Sequence, residues 1–192
     1  MTGIQPAVIA ISGPIGSGKT TITTLLSQHT GWPHTASGDL VRAIATRRGL
    51  SHDRRHLQHI GSQLIAGGWD AFTRRVLSQA AWRPGDSLIV DGLRHPGAVT
   101  ALQRIAAPLP VIVVYLDIPA DAGITRARQR DHLPAGPGSR DETHPIEQEL
   151  PSVRSRAGLV LPVHDCAPGL IVERIIGHLT AGSGRQPGDR CA

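Results

Sequence analysis

Short apolar runs alternate with amphipathic segments along most of the chain. Runs at residues 7–12, 88–91, 111–117 and 159–163 are nearly continuous in aliphatic residues, and a shorter segment at 33–36 is a candidate fifth. Continuous apolar runs of this length are typical of parallel strands covered on both faces. The pattern therefore predicts a sheet of parallel strands.

The segments between these runs repeat apolar residues at helical spacing. In the segment 53–66, for example, Leu57, Ile60 and Leu64 share one face. The helices predicted in this way cover residues 19–29, 39–48, 53–66, about 72–80, 96–104, 120–131 and 170–179. Asp39, within a Ser-Gly-Asp sequence, is a candidate cap for the second of them. Strands alternating with helices predict an α/β fold with right-handed crossovers.

Residues 13–20 (GPIGSGKT) match the phosphate-binding pattern GxxxxGK[ST], known as the P-loop. A predicted buried strand precedes the match and a predicted helix follows it, as the pattern requires. Glycines let backbone N–H groups converge on phosphate oxygens, and the helix N-terminus adds positive potential. We expect ATP to be bound by Gly13, Ile15, Gly16, Ser17, Gly18, Lys19, Thr20 and Thr21. The predicted fold is an α/β, three-layer P-loop NTPase fold, with a parallel five-stranded sheet flanked by helices and a small lid.

Three side chains in and near this motif are candidates for chemistry. Lys19 is the only lysine among 20 basic residues, and we expect it to act in catalysis by reaching the β- and γ-phosphates. The Thr20 hydroxyl is expected to bind Mg²⁺. Asp91 ends an apolar run, where P-loop proteins place a carboxylate that holds Mg²⁺ directly or through water. A turn or a helix cap is the alternative for Asp91, and beside a P-loop we predict the catalytic and metal-binding role.

Composition narrows the range of partners. The net charge is +5, but the basic residues are spread along the chain and only 3% of residues are aromatic, which argues against nucleic acid as the main ligand. No stretch reaches the ~18 apolar residues of a membrane span, and no signal peptide is apparent, so we expect a cytoplasmic protein. The two cysteines, Cys166 and Cys191, form no CxxC pair and no disulfide framework. The sequence leaves monomer and homodimer open.

Further segments resemble the nucleoside monophosphate kinases, the family of adenylate and cytidylate kinases. Residues 37–43 (SGDLVRA) resemble the S/T-G-D-x-x-R-A segment of adenylate kinases, and residues 91–94 (DGLR) resemble their D-G-x-P-R segment. Residues 114–119 (VYLDIP), followed by three arginines, are similar to the strand and helix that lead into their lid. Residues 11–21 are also similar to archaeal-type cytidylate kinases. The resemblance extends in order over about residues 7–180.

The resemblance implies roles for the matched residues. Those implied to bind the acceptor are Ser37, Asp39, Arg42 and Arg94. Those implied to fold over the transferring phosphates as catalytic groups are Arg126 and Arg130. It also divides the chain into a kinase domain at 1–181, with acceptor-binding helices at about 37–82 and a lid at about 126–146. The polar residues 182–192 are predicted to form a disordered tail.

The leading hypothesis is an ATP- and Mg²⁺-dependent phosphotransferase that acts on a small-molecule acceptor, a nucleoside or deoxynucleoside monophosphate. The proline that precedes the second arginine in adenylate kinases, and the glutamine that reads adenine after it, have no match around Arg94. AMP is therefore not implied as the acceptor. The alternatives are a kinase similar to dephospho-coenzyme A kinase and another biosynthetic small-molecule kinase. A P-loop ATPase switch is a third, but no water-positioning residue or partner surface is apparent.

Overall fold

The computed structural model describes residues 4–130 and 145–181, apart from the side chains of residues 130 and 145–147, and in it five parallel strands form one sheet. The strands are β1 (Val8–Ser12), β2 (His34–Ala36), β3 (Leu88–Asp91), β4 (Val111–Asp117) and β5 (Leu159–Pro162). Their order across the sheet is β2-β3-β1-β4-β5. The predicted parallel five-stranded sheet is confirmed, and each strand ends within a residue of its predicted position.

Helices cover both faces of the sheet. Within the described ranges they are α1 (Lys19–Thr30), α2 (Ser37–Arg47), α3 (Arg54–Ala66), α4 (Trp69–Ser78), α5 (Pro96–Ala106), α6 (Ala120–Arg130), α7 (Pro145–Arg154) and α8 (Pro168–Thr180). All but α7 were predicted. No element was assigned to its residues from the sequence. Pro151 lies inside this helix, and a proline in a helix interior removes a backbone hydrogen bond.

The predicted cap of α2 is wrong. The helix begins at Ser37, its N-cap is Ala36, and no side chain caps it. Asp39 lies inside the first turn instead, where its negative charge still interacts favourably with the helix dipole. Asp39 is therefore free of a capping role and available to neighbouring side chains.

Alternate side chains of the central strand β1 lie in two separate hydrophobic cores, one on each face of the sheet. Val8 and Ala10 of β1 belong to the core beneath α2, α3, α4 and α5. Ile9 and Ile11 belong to the core beneath α1 and α8. All four side chains are fully buried, which is the burial expected of a parallel sheet with helices on both faces. The molecule thus has the three layers that the sequence predicts.

The functional residues lie at one edge of this sheet. β1 is central, and the P-loop follows its carboxyl end. Ile11 of β1 is the register partner of Asp91 at the end of β3. In open α/β sheets ligands bind outside the carboxyl ends of the strands. The register therefore places the P-loop and Asp91 side by side at the binding edge.

Two expectations from composition concern the membrane and the cysteines. No helix in the described ranges is long and apolar enough to cross a membrane. Cys166 lies between β5 and α8, but Cys191 is outside the described residues, so the expectation about a disulfide framework stays a prediction.

Candidate active site

The loop between β1 and α1 has a backbone that favours glycine. Gly13, Gly16 and Gly18 have φ angles of 140°, 74° and 81°, in the region that other residues rarely adopt. A Cβ atom on Gly13 would lie 2.5 Å from the carbonyl oxygen of Leu116, and one on Gly16 would overlap the carbonyl oxygen of Gly123. The loop is therefore closely packed against the end of β4 and against α6.

The Lys19 ammonium lies within this loop. Its Nζ donates to the carbonyl oxygens of Gly13 at 2.8 Å and Pro14 at 2.6 Å, and to the Ser17 hydroxyl at 3.3 Å. Gly18 is the N-cap of α1, and no side chain caps the first turn. The loop therefore combines a positive side chain with a helix N-terminus that no side chain caps, which together form an anion-binding site.

A buried carboxylate stands beside the loop. The Thr20 hydroxyl donates to Oδ2 of Asp91 at 3.0 Å. Asp91 is 6% exposed, and its Oδ1 has no hydrogen-bond partner among the described residues. Burial raises the pKa of Asp91, against the opposing effects of Lys19, the Thr20 hydrogen bond and Arg94. A buried oxygen without a partner is unfavourable unless a ligand binds it.

This donor set fits Mg²⁺. A threonine hydroxyl and a carboxylate oxygen are the hard ligands that the ion prefers, and Mg²⁺ usually takes only one or two protein carboxylates and completes its shell with water and phosphate. Within the described ranges no group of three or more His, Cys, Asp or Glu residues is arranged to hold a metal. Thr20 and Asp91 are therefore the residues to which the ion would bind.

The start of α2 is tied to the turn after β3. The Ser37 hydroxyl donates to the carbonyl oxygen of Gly92 at 2.8 Å. Gly92 has a φ angle of 80°, and a Cβ atom there would lie 2.9 Å from the Ser37 Oγ. Asp39 and Arg94 are both close enough to Asp91 to affect its pKa. The structure thus brings three of the four predicted acceptor residues together around Asp91.

The fourth predicted acceptor residue, Arg42, lies one turn further along α2. Its guanidinium forms an ion pair with Asp39 at 2.5 Å and folds over Gly38. The Arg42 and Asp39 side chains are 49% and 62% exposed, so the pair itself contributes little to stability. The Arg42 guanidinium is open to solvent on the same helix end as Ser37.

Arg126 lies on α6, next to the loop between β5 and α8. Its guanidinium donates to the carbonyl oxygens of Val163, at 3.2 Å, and His164. It also lines a cavity of about 360 Å³ together with Pro119, Asp121, Ala122, Thr125 and His164. Its role with the phosphates stays a prediction. The Arg130 side chain, most of the predicted lid and the predicted tail lie outside the described residues.

The sequence did not single out Gly123 or Arg154. A Cβ atom on Gly123 would lie 2.6 Å from the carbonyl oxygen of Ile15, so the absence of a side chain lets α6 approach the P-loop. A glycine inside a predicted helix was the available signal. Arg154, at the end of α7, donates to Asp117 at 3.0 Å, and no sequence pattern connects these two residues.

Comparison with known proteins identifies the family. The sequence profile described as an AAA domain matches residues 12–144, more than half of the chain, and the chain belongs to this family. A cytidylate kinase of Desulfurococcus amylolyticus is 28% identical over 128 residues, which are 67% of this chain and 63% of that protein. UMP-CMP kinase 3 of Arabidopsis thaliana is 28% identical over 140 residues, 69% of this chain and 68% of that protein.

A UPF0200 protein of Aeropyrum pernix is 28% identical over 108 residues, 56% of this chain and 57% of that protein. The chain thus spans less than two thirds of the archaeal relatives from Aeropyrum and Desulfurococcus, at 57% and 63% of their lengths. The predicted resemblance to nucleoside monophosphate kinases is confirmed by the relatives named as cytidylate and UMP-CMP kinases.

Solved structures share the fold. A putative kinase from Chloroflexus aurantiacus has a TM-score of 0.59 at 22% identity, over 92% of this chain and 97% of that chain. Shikimate kinase from Acinetobacter baumannii has a TM-score of 0.55 at 19% identity, over 93% and 95%. These likenesses concern the fold alone, and they confirm the predicted P-loop fold.

Proposed function

We propose that this protein is an ATP-dependent phosphotransferase that uses Mg²⁺ and acts on a nucleoside or deoxynucleoside monophosphate. The observation that carries the proposal is the contact between the Thr20 hydroxyl and the buried Asp91 carboxylate, beside the Lys19 ammonium. A phosphate chain bound in the loop would meet a positive charge and a metal-binding pair at the same place. That combination suits the transfer of a terminal phosphoryl group.

The chain's own groups would act by position and charge. The loop N–H groups and the Lys19 ammonium would hold the phosphates of ATP and stabilise negative charge as it develops on the bridging oxygen. Thr20 and Asp91 would hold Mg²⁺, which when bound neutralises phosphate charge. Phosphoryl transfer needs little covalent help from the protein, so this arrangement is sufficient for the reaction on the ATP side.

The acceptor would bind on the other side of Asp91. Arg94 lies in the turn that Ser37 ties to α2, and Arg42 is on the same helix. Two guanidinium groups suit a phosphate, because their planar N–H forks match its oxygens. The relatives named as cytidylate kinase and UMP-CMP kinase support a nucleoside monophosphate as the group presented there.

One observation favours a second candidate, a biosynthetic small-molecule kinase. Ala98, four residues after Arg94, is 1% exposed, and the indole ring of Trp69 covers Gly97. The first turn of α5 therefore has no side-chain amide that could hydrogen-bond to a nucleobase. Solved structures that share the fold include a shikimate kinase and a gluconokinase, so acceptors without a base belong in the test.

A panel of acceptors tests both candidates. Initial rates of ADP formation from Mg·ATP would be measured with ribonucleoside and deoxyribonucleoside monophosphates, with dephospho-coenzyme A, shikimate and gluconate, and without acceptor. Purified Lys19→Ala protein controls for contaminating kinases. We expect the highest kcat/KM with a nucleoside monophosphate. A higher value with dephospho-coenzyme A, shikimate or gluconate selects the second candidate, and ATP consumption that no acceptor stimulates contradicts both.

A further inference from the structure

His95 joins three elements directly beside Arg94. It is the N-cap of α5, and its ring faces the Trp69 ring of α4 with centroids 4.9 Å apart. Its Nδ1 lies 2.7 Å from Oε2 of Glu149 on α7. A carboxylate has no proton to give, so the His95 Nδ1–H donates to Glu149. The next residue in the chain after Arg94 is thus held from two sides.

Both contacts are fixed by their surroundings. Trp69 is wedged against α5, because a Cβ atom on Gly97 would overlap its indole nitrogen. Glu149 stands next to Leu150 on a helix whose inner face is anchored in the core, where Leu150 is 4% and Val153 0% exposed. The His95 side chain is 14% exposed and the Glu149 side chain is 44% exposed. Because the imidazole is largely enclosed, its hydrogen bond to the carboxylate is stronger than a bond between two fully exposed groups.

The same region carries a second link. The Arg156 guanidinium, just after α7, donates to the carbonyl oxygen of Pro96 at 3.3 Å and to the Thr100 hydroxyl at 2.9 Å. The segment that starts at α7 therefore holds the first turn of α5 at two points. The turn from Asp91 to Arg94 lies directly before this first turn of α5, and the Ser37 hydroxyl binds the carbonyl oxygen of Gly92 near its start. Both ends of the turn are therefore constrained.

We propose that His95 is a positioning residue for the acceptor. Its contacts with Glu149 and Trp69, called the clamp below, fix the backbone of the turn 91–94. The Arg94 guanidinium is thereby positioned to bind the phosphate of the acceptor. The proposal rests on the proposed phosphotransferase function. It assigns Glu149, 54 residues away in sequence, an indirect part in acceptor binding that acts through His95.

A double-mutant cycle tests the clamp. His95→Gln, Glu149→Gln and the double variant would be compared for acceptor KM, ATP KM, kcat and Tm. We expect each single variant to raise acceptor KM about tenfold, as loss of one charged hydrogen bond allows, with ATP KM unchanged. The double variant should be little worse than either single one, because both remove the same bond.

Arg104→Gln is the matched control, because Arg104 pairs with Asp70 across α4 and α5 but lies at the far end of α5. Because this exposed pair contributes little to stability, the variant should change Tm only slightly and leave acceptor KM unchanged. If His95→Gln and Glu149→Gln lower Tm but leave acceptor KM within about twofold of wild type, His95 is merely structural and the proposal fails.

A second readout does not depend on turnover. Hydrogen exchange at the amides of Gly92, Leu93 and Arg94 should be about tenfold faster in His95→Gln and Glu149→Gln than in wild type, and unchanged in Arg104→Gln. Unaltered exchange at these amides overturns the clamp whether or not an acceptor is found. Faster exchange in a protein that phosphorylates no acceptor would instead leave the clamp in place and refute the proposed function.

Discussion

Gly16→Ala should destabilise the protein far more than Gly18→Ala. Both glycines have positive φ angles, 74° and 81°, and an alanine in this region costs about 1–2 kcal/mol, partly offset by about 0.4–1 kcal/mol from the stiffer unfolded chain. Gly18 has open space where a Cβ would be, so its variant should lose about 1 kcal/mol. A Cβ on Gly16 would overlap the backbone of Gly123, which adds about 1–3 kcal/mol.

The difference is measurable by thermal or urea unfolding. For a domain of this size about 2 kcal/mol corresponds to about 4–8 °C in Tm. Gly123→Ala tests the packing contribution without a positive φ angle, since Gly123 is helical and its Cβ would lie 2.6 Å from the carbonyl oxygen of Ile15. It should be destabilised by less than the excess at Gly16, because alanine inside a helix is about 0.5–1 kcal/mol more favourable than glycine. Equal losses in Gly16→Ala and Gly18→Ala, within about 0.5 kcal/mol, would refute the close contact between the P-loop and α6.

Three further predictions concern the charged residues of the site. Lys19→Ala should lower kcat by about 10²–10³ with the fold retained by circular dichroism, as expected when a charge-stabilising donor is lost; a loss below tenfold would contradict its assignment. Arg42→Ala and Arg94→Ala should each lower acceptor kcat/KM by about tenfold or more and leave ATP KM unchanged, and normal acceptor kinetics in both would exclude these positions. Asp91→Asn should remove activity yet raise Tm at neutral pH, because burial raises the pKa of Asp91 and its charged form opposes folding. This gain should shrink as the pH falls below the raised folded pKa toward the unfolded value, and a lower Tm at neutral pH would contradict it.

The features that the sequence predicted well are formed by residues that are adjacent in the chain. The P-loop lies between a strand and a helix that are adjacent in the chain, so its pattern and its setting are read together. Asp91 was identified because it ends an apolar strand, and the register with Ile11 then places it beside the loop. The five strands were predicted because full burial on both faces leaves continuous apolar runs.

The features that sequence did not predict depend on contacts between distant segments. Helix α7 was not assigned from the sequence, and it forms although it contains Pro151, since Leu150 and Val153 are buried in the packed structure. The approach of Gly123 to the P-loop and the bond from His95 to Glu149 join residues whose separation leaves no pattern. Arg126 was chosen from its place after β4, yet its contacts with the β5–α8 loop could not be foreseen.

The destination of the γ-phosphoryl group tests the central claim most directly. Wild-type protein would be incubated with γ-labelled ATP, Mg²⁺ and the best acceptor of the panel, and labelled acceptor, inorganic phosphate and ADP would be counted over several turnovers. We predict one labelled acceptor for each ADP formed, little inorganic phosphate, and no labelled acceptor with Lys19→Ala. Label that appears as inorganic phosphate in step with ADP, with none on any acceptor, would show that the P-loop serves ATP hydrolysis and not phosphoryl transfer.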